Sequence, residues 1–395
     1  MLAWIAKMTT YSGGTEYVMS AFANAMEQRG HTVSIVYCNH QDGKPFYPVG
    51  HTVHLRNLMT GLLKERFVRN GGFLTGPQKI VREVLRLFGN VGQLQWTEQC
   101  KGNFLKEAIC RTVTEEQPDV LVFFWPDTAC YFKKYAHIVT PAVTMFHMEP
   151  ETLFCRAVLA ERKAVEECAY AQVLLPSDAE DIKKYCPNAK VAVIPNAVRE
   201  PAAAVYREKD RYRILSVGRI DRKAKQTHKI IRAFAETAEK FPEWELDIWG
   251  SCLDRRYAAE LYDIVRRSGL SDRIHFCGTS DHILSVYTKG DLFVTASPSE
   301  GFGLTLAEAM SAGLPAVGFR DAHGIRSLIR DGEDGLLCGS SVHALAEAMS
   351  RLMADGGTRQ RMGSAGRQKM KRYRPDKVWD MWEKLLVQIK TDTRL

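Results

Sequence analysis

The sequence predicts an α/β protein built from two doubly wound parallel-sheet domains in series, and three observations predict it. The chain has 395 residues, more than one core usually serves, so two domains of roughly 200 residues each are expected. Short apolar runs alternate with amphipathic stretches, the pattern of parallel strands buried on both faces and joined by helices. That pattern stops in a stretch rich in Ala, Pro and charge, and then starts again.

In the first half the runs LAWIAKM, TVSIVY, DVLVFFW, AVTMFHM and AQVLLP read as buried strands, each followed by a loop and a helical segment. Residues 197–210 read as the linker. Beyond it RILSVG, WELDIWG, RIHFCG, DLFVTA, PAVGF and GLLCG repeat the grammar. Two such sheets are expected to face a central cleft with their strand carboxyl ends, where doubly wound sheets bind ligands. The resulting division is 1–200, 201–370 and a last helix within 371–395. That helix carries Val378, Trp379, Trp382, Leu385 and Leu386 at helical spacing and is expected to pack back toward the first domain.

Composition narrows the classes. Hydrophobic residues make up 45% and charged residues 25%, as in a soluble globular protein. The 54 basic and 46 acidic residues leave +8, which suits an anionic partner such as a nucleotide phosphate, a nucleic acid or an acidic membrane surface. Ten cysteines are scattered without a CxxC pair or metal spacing, so inert thiols in a reducing cytoplasm are expected. The apolar start is too short to span a membrane and lacks a basic leader region.

The most informative stretch is SPSEGFGLTLAEAMSAGLP, residues 297–315. DLFVTA is its strand, SPSEGFG the loop at the carboxyl end, and Leu304 to Ala312 a helix stopped by Gly313 and Pro315. Gly301 and Gly303 let the backbone approach a ligand, and the free N–H groups at the helix start, from Phe302 to Leu304, suit a phosphate. Glu308 could accept from a ribose diol, and Glu300 from hydroxyls of a further group carried on the phosphate. A dinucleotide fingerprint is the rival, because Gly301, Gly303 and Ala307 imitate its glycines and Asp321 follows. It fits poorly: Ser-Pro-Ser-Glu separates strand from glycines, and such fingerprints normally open an early βα unit.

The composite EGFGLTLAEAMSAGLPAVGF followed by GIRSLIRDGEDGLLC strongly resembles the retaining glycosyltransferases of the large nucleotide-sugar family 4, in glycosyltransferase group 1. The resemblance implies the GT-B fold, two Rossmann-like domains. It extends to SVGRIDRKAKQTHKIIRAFAE, which implies that Arg219 and Lys225 neutralise a donor diphosphate. Gln226 departs from the family, where glycine follows that lysine, and this leaves Lys223 as a possible substitute. TTYSGGTEYVMSAFANAMEQRGHTVSIVY resembles the family's Gly-Gly loop and first helix, which would turn the amides of Gly13 and Gly14 toward donor or acceptor. His147 matches a histidine near the donor sugar, with Glu149 a weaker neighbour and Asn196 structural.

The function so implied is retaining, metal-independent transfer of a sugar from a nucleoside-diphosphate sugar, a UDP-sugar by preference. The acceptor would be a hydroxyl of a cell-surface glycan precursor, lipid-linked or not. Glu300, Arg219, Lys225 and His147 are the catalytic candidates; Gly13, Gly14, Gly301, Phe302, Gly303, Leu304 and Glu308 are the donor-binding ones. No cofactor, no metal ligand and no nucleic-acid partner are expected. Alternatives are a GT-B phosphorylase or sugar-nucleotide hydrolase, and an inactive nucleotide-sugar-binding subunit. Residues 59–90 mix Leu62, Leu63, Phe67, Phe73, Leu74, Leu85, Leu87 and Phe88 with Lys64, Arg66, Arg69, Lys79, Arg82 and Arg86. That mixture reads either as a helix pair on an anionic membrane or as a solvated basic face with its apolar side in the core.

Overall fold

A computed structural model describes residues 1–5, 13–39, 43–154, 159–204 and 209–392. The chain divides into two compact units, Met1–Pro195 with Val378–Leu395, and Asn196–Lys377. Each unit holds one parallel sheet.

The sheet of the first unit runs β3-β2-β1-β4-β5-β6-β7. Its strands are β1 (Leu2–Ile5), β2 (Ser34–Tyr37), β3 (His54–Asn57), β4 (Leu121–Phe123), β5 (Ala142–Met145), β6 (Tyr170–Val173) and β7 (Val191–Val193). All neighbours are parallel. Central strands β4 and β5 are buried at every position, which is why they read as unbroken apolar runs. Two of the seven strands lie outside the five runs. β3 reads HLRN and is largely exposed; Arg56 and His54 are held by the Glu116 carboxylate at the end of the helix Asn90–Glu116. β7 is a half-buried edge of three residues.

The sheet of the second unit runs β10-β9-β8-β11-β12-β13. Its strands are β8 (Tyr212–Val217), β9 (Trp244–Trp249), β10 (Ile274–Gly278), β11 (Leu292–Val294), β12 (Ala316–Phe319) and β13 (Gly335–Cys338). All six were legible as apolar runs. In both sheets the order reverses beside the first strand, between β1 and β4 and between β8 and β11. Those reversals are where open α/β sheets bind ligands.

The last helix, Pro375–Asp392, buries Val378, Trp379, Trp382, Leu385, Leu386 and Ile389. From Val378 onward it is part of the first unit. Its Trp382 ring meets Phe22 edge-on at 5.0 Å and is 1% exposed. Arg29 pairs with Asp380 at 3.0 Å, and Lys390 with Asp119 at 2.7 Å. The indole lies on the inner helix Gly14–Gln28, so truncation should leave a cavity there. Trp382→Ala is expected to cost about 3–5 kcal/mol of stability, read from urea unfolding; a loss of less than about 1 kcal/mol would mean that the site collapses around the deletion.

Candidate functional site

In the second unit, the loops after β8 and β11 lie side by side because their strands are hydrogen-bonded neighbours. The β11 loop leads through Glu300 and Gly301 to Gly303, which caps the helix Leu304–Ala312 at φ +88°. Only glycine takes that conformation without strain. Gly324 donates its N–H to the Glu300 carbonyl at 3.0 Å, and a Cβ on Gly324 would come within 2.6 Å of that oxygen. The loop is therefore pinned from the far side by a residue that cannot carry a side chain. Phe302 is 2% exposed and packs edge-on against Tyr373 at 5.3 Å; its side chain anchors the turn, so only its backbone is available to a ligand.

The β8 loop brings Lys225 to this point. Its ammonium donates to the Glu300 carboxylate, a pair with side chains 25% and 18% exposed. Arg219, at the end of β8, is exposed. Lys223 is exposed as well, and its backbone N–H donates to the Asp221 carboxylate at 2.7 Å. The structure thus joins Lys225, rather than Lys223, to Glu300.

Gln226 takes φ +47° as the N-cap of the helix Thr227–Thr237. A left-handed residue at this turn explains why glycine suits the position. The Gln226 amide oxygen is also buried without a hydrogen-bond partner among the described residues.

Glu308 has partners of its own. The carboxylate expected to face a ribose diol is 4% exposed and engaged inside the unit. Oε1 accepts from Arg199 Nε at 2.7 Å and lies 2.6 Å from its Nη2; Oε2 accepts from the Tyr287 hydroxyl at 3.2 Å. Burial raises its pKa, against the pull of Arg199 and Tyr287. Nothing in the spacing of two glutamates marks Arg199 or Tyr287, which lie 109 and 21 residues away.

The remaining candidates belong to the first unit. Gly13 is the N-cap of the helix Gly14–Gln28, with extended backbone at φ −79°, ψ 162°. The residues before it that complete the expected loop lie outside the described ones. His147 follows β5 and stacks on Phe124 at 5.4 Å, with Trp125 edge-on at 5.9 Å. Its Nε2 is buried with no hydrogen-bond partner among the described residues. Burial pushes its pKa down to about 4, so the imidazole is neutral. Glu149 accepts from Thr152 at 3.1 Å and Asn196 is buried. Among the described residues no cluster of three or more His, Cys, Asp or Glu side chains could hold a metal ion.

Lys225 and Glu300 lie beside a glycine-capped helix at the switch point of the second sheet. Residues 198–369 match the family model Glycosyl transferases group 1. That stretch is the second unit almost end to end. Over 167 residues the chain is 34% identical to an exopolysaccharide phosphotransferase of Streptomyces coelicolor, covering 42% of this chain and 17% of that protein. Over 173 residues it is 32% identical to the GtfA subunit of a UDP-N-acetylglucosamine–peptide N-acetylglucosaminyltransferase of Streptococcus gordonii, covering 42% of this chain and 33% of that one. The chain spans well under two thirds of either relative. Sucrose-phosphate synthase from Thermosynechococcus elongatus is similar over 99% of both chains, with a TM-score of 0.75 at 17% identity. The fold is that of the GT-B class, two Rossmann-like parallel-sheet domains.

Gln226→Gly removes a left-handed glutamine and its orphaned amide oxygen, so it should raise stability by roughly 0.5–1 kcal/mol after the chain-entropy cost of glycine; a decrease in the unfolding midpoint would overturn this account of the turn. His147 has a folded pKa of about 4 against 6.5, so the native state resists its protonation. Stability held at neutral pH should be lost as pH falls from 6.5 toward 4, and His147→Asn should flatten that part of the stability–pH curve.

Proposed function

We propose that the protein is a retaining, metal-independent glycosyltransferase that moves a sugar from a UDP-sugar to a hydroxyl of a glycan acceptor. The observation that carries this reading is the Lys225–Glu300 pair, set beside the amides of Gly303 and Leu304 where β8 and β11 end. The match of residues 198–369 to glycosyl transferases group 1 supports the reaction class, and the UDP-N-acetylglucosamine in the name of the GtfA relative supports the nucleotide. A cell-surface glycan precursor is the acceptor class proposed. Its lipid-linked form would bring the enzyme to the inner face of a membrane.

In this reading the bond between the anomeric carbon and the diphosphate oxygen breaks, and negative charge grows on that oxygen. Arg219, Lys225 and the helix-start amides stabilise the charge. The acceptor hydroxyl bonds to the same face of the sugar and passes its proton to the leaving phosphate. Glu300, oriented by Lys225, positions the sugar; a role for His147, whose imidazole is neutral, rests on the resemblance of its segment alone. Glu308 enters through Arg199, the guanidinium it holds in place.

Because the two cations act on charge that develops in the transition state, Arg219→Ala and Lys225→Ala should each lower kcat by about 100-fold, near 2.7 kcal/mol, with a smaller effect on nucleotide affinity. A panel of UDP-, GDP- and ADP-sugars, read by nucleotide release and thermal shift, selects the donor. Unchanged turnover in both variants would remove the diphosphate assignment.

A further inference from the structure

The loop that delivers Lys225 carries three cations, Arg222, Lys223 and Lys225, within residues 221–226, yet it is Lys225 that donates to Glu300. A lysine is a point charge on a flexible four-carbon stem, so what it reaches is decided by where the backbone holds it. The loop is fixed first by its own turn. Ile220 donates its N–H to the Ser251 carbonyl at 2.9 Å. Asp221 then folds its carboxylate back, Oδ1 accepting from the N–H groups of Lys223 and Ala224, both at 2.7 Å, the short-range bonding that aspartate offers a turn. The Ala224 amide above all, with that of Lys223, holds the Asp221 carboxyl below its ordinary pKa.

A turn so closed could still swing as one piece. Arg222 ties it to the helix Arg255–Arg267. Its Nη1 donates to Glu260 Oε1 at 3.0 Å and its Nη2 to Glu260 Oε2, and its guanidinium carbon lies 4.7 Å from the centre of the Tyr257 ring. Tyr257 is fully buried. Its hydroxyl accepts from the backbone N–H of His228 at 3.0 Å and lies 2.9 Å from the Nδ1 of that residue. His228 opens the helix Thr227–Thr237, immediately beyond Lys225 and Gln226. Tyr257 and Glu260, three apart and so on one helical face, therefore hold the chain at Arg222 and again at His228, on either side of Lys225. The Arg222 and Glu260 side chains are 49% and 35% exposed, and exposed ion pairs add little stability. A bidentate fork stacked on an immobile ring fixes direction instead.

We propose that Arg222, Glu260 and Tyr257 are positioning residues that hold the turn on both sides of Lys225, so that its ammonium, rather than that of Lys223, lies against Glu300. The effect on turnover rests on the donor-site reading of Lys225 under the proposed function; the placement of the ammonium does not.

Two measurements on the full chain separate the two. The first is acylation of lysine amines by an N-hydroxysuccinimide ester, read at Lys225 by peptide mass spectrometry with no donor present. Arg222→Ala and Glu260→Ala should each raise the labelling rate of Lys225 severalfold. Lys369, paired with Asp334 at 2.8 Å in the same unit, should label as before. The second is turnover. Arg222→Ala should lower kcat by about tenfold, the scale of a misplaced charge, without moving the unfolding midpoint. Because the latch acts through Lys225, adding Arg222→Ala to Lys225→Ala should lower kcat no further. Arg222→Lys keeps the charge but loses the fork and the stacking, and should behave as Arg222→Ala does. Unchanged Lys225 labelling in both Arg222→Ala and Glu260→Ala overturns the proposal. So does a loss in Arg222→Ala that persists undiminished in the Lys225→Ala background, or full turnover by Arg222→Lys. Raised labelling alongside full turnover by Lys225→Ala would uphold the placement and remove the donor-site reading of Lys225 instead.

Discussion

The Lys225–Glu300 contact depends on a series of close approaches that only glycines allow. A Cβ on Gly250 would overlap the Gly218 carbonyl, and one on Gly218, at φ +149°, would stand 3.3 Å from Lys225 Cε. Gly324 does the same on the other side, against the Glu300 carbonyl. The parallel order places β8 beside β11, and the glycines remove the side chains that would hold their loops apart. The ammonium and carboxylate then meet without long loops, which would have to be ordered at an entropic cost. The same compaction leaves the Gly303 cap and the following helix start pointing past Glu300, so charge and backbone donors share one place.

How much of this was legible depends on whether a residue's partner is local. All six strands of the second sheet could be read because each keeps an apolar run, even though β8 and β9 carry Arg213, Glu245 and Asp247 and β10 is only partly buried. The helix Leu304–Ala312 could be bounded because Gly303 and Gly313 both take left-handed backbone. By contrast β3 is held by Arg56 and His54 reaching Glu116, a tertiary contact that leaves no apolar period in the chain. Lys225 could be nominated from its motif, but its pairing with Glu300 spans 75 residues and belongs to the sheet order.

Glu308 shows what spacing alone leaves out. Two glutamates eight apart around a glycine pair look equivalent in sequence, yet Glu300 lies in a loop and Glu308 is two-thirds of the way through the first two turns of a buried helix. A carboxylate so placed cannot remain ionised without partners, since desolvation disfavours its charged form. Arg199 and Tyr287 provide those partners. The pair also ties the segment after Asn196 to the helix that opens at Gly303, so Glu308 fixes the helix whose start offers the amides. Its influence on a ligand passes through that scaffold and through the half-exposed guanidinium of Arg199.

The two units carry their information differently. In the second, Lys225, Glu300 and the glycines beside them sit in short local motifs, and residues 198–369 match a family model. In the first, exposure is more informative than motif. On the helix Gly76–Leu87 the decisive fact is that Ile80, Val84, Leu87 and Phe88 face outward while Gln78 faces in. The sequence period of that helix is the same whichever side is turned to the protein. Its orientation is set by Lys79 on the Asn70 and Gly71 carbonyls and by Gln78 on Cys100, polar contacts that favour the inward side for a reason independent of hydrophobicity. Contacts of that kind fix which face of a helix turns inward and leave no trace in its hydrophobic period.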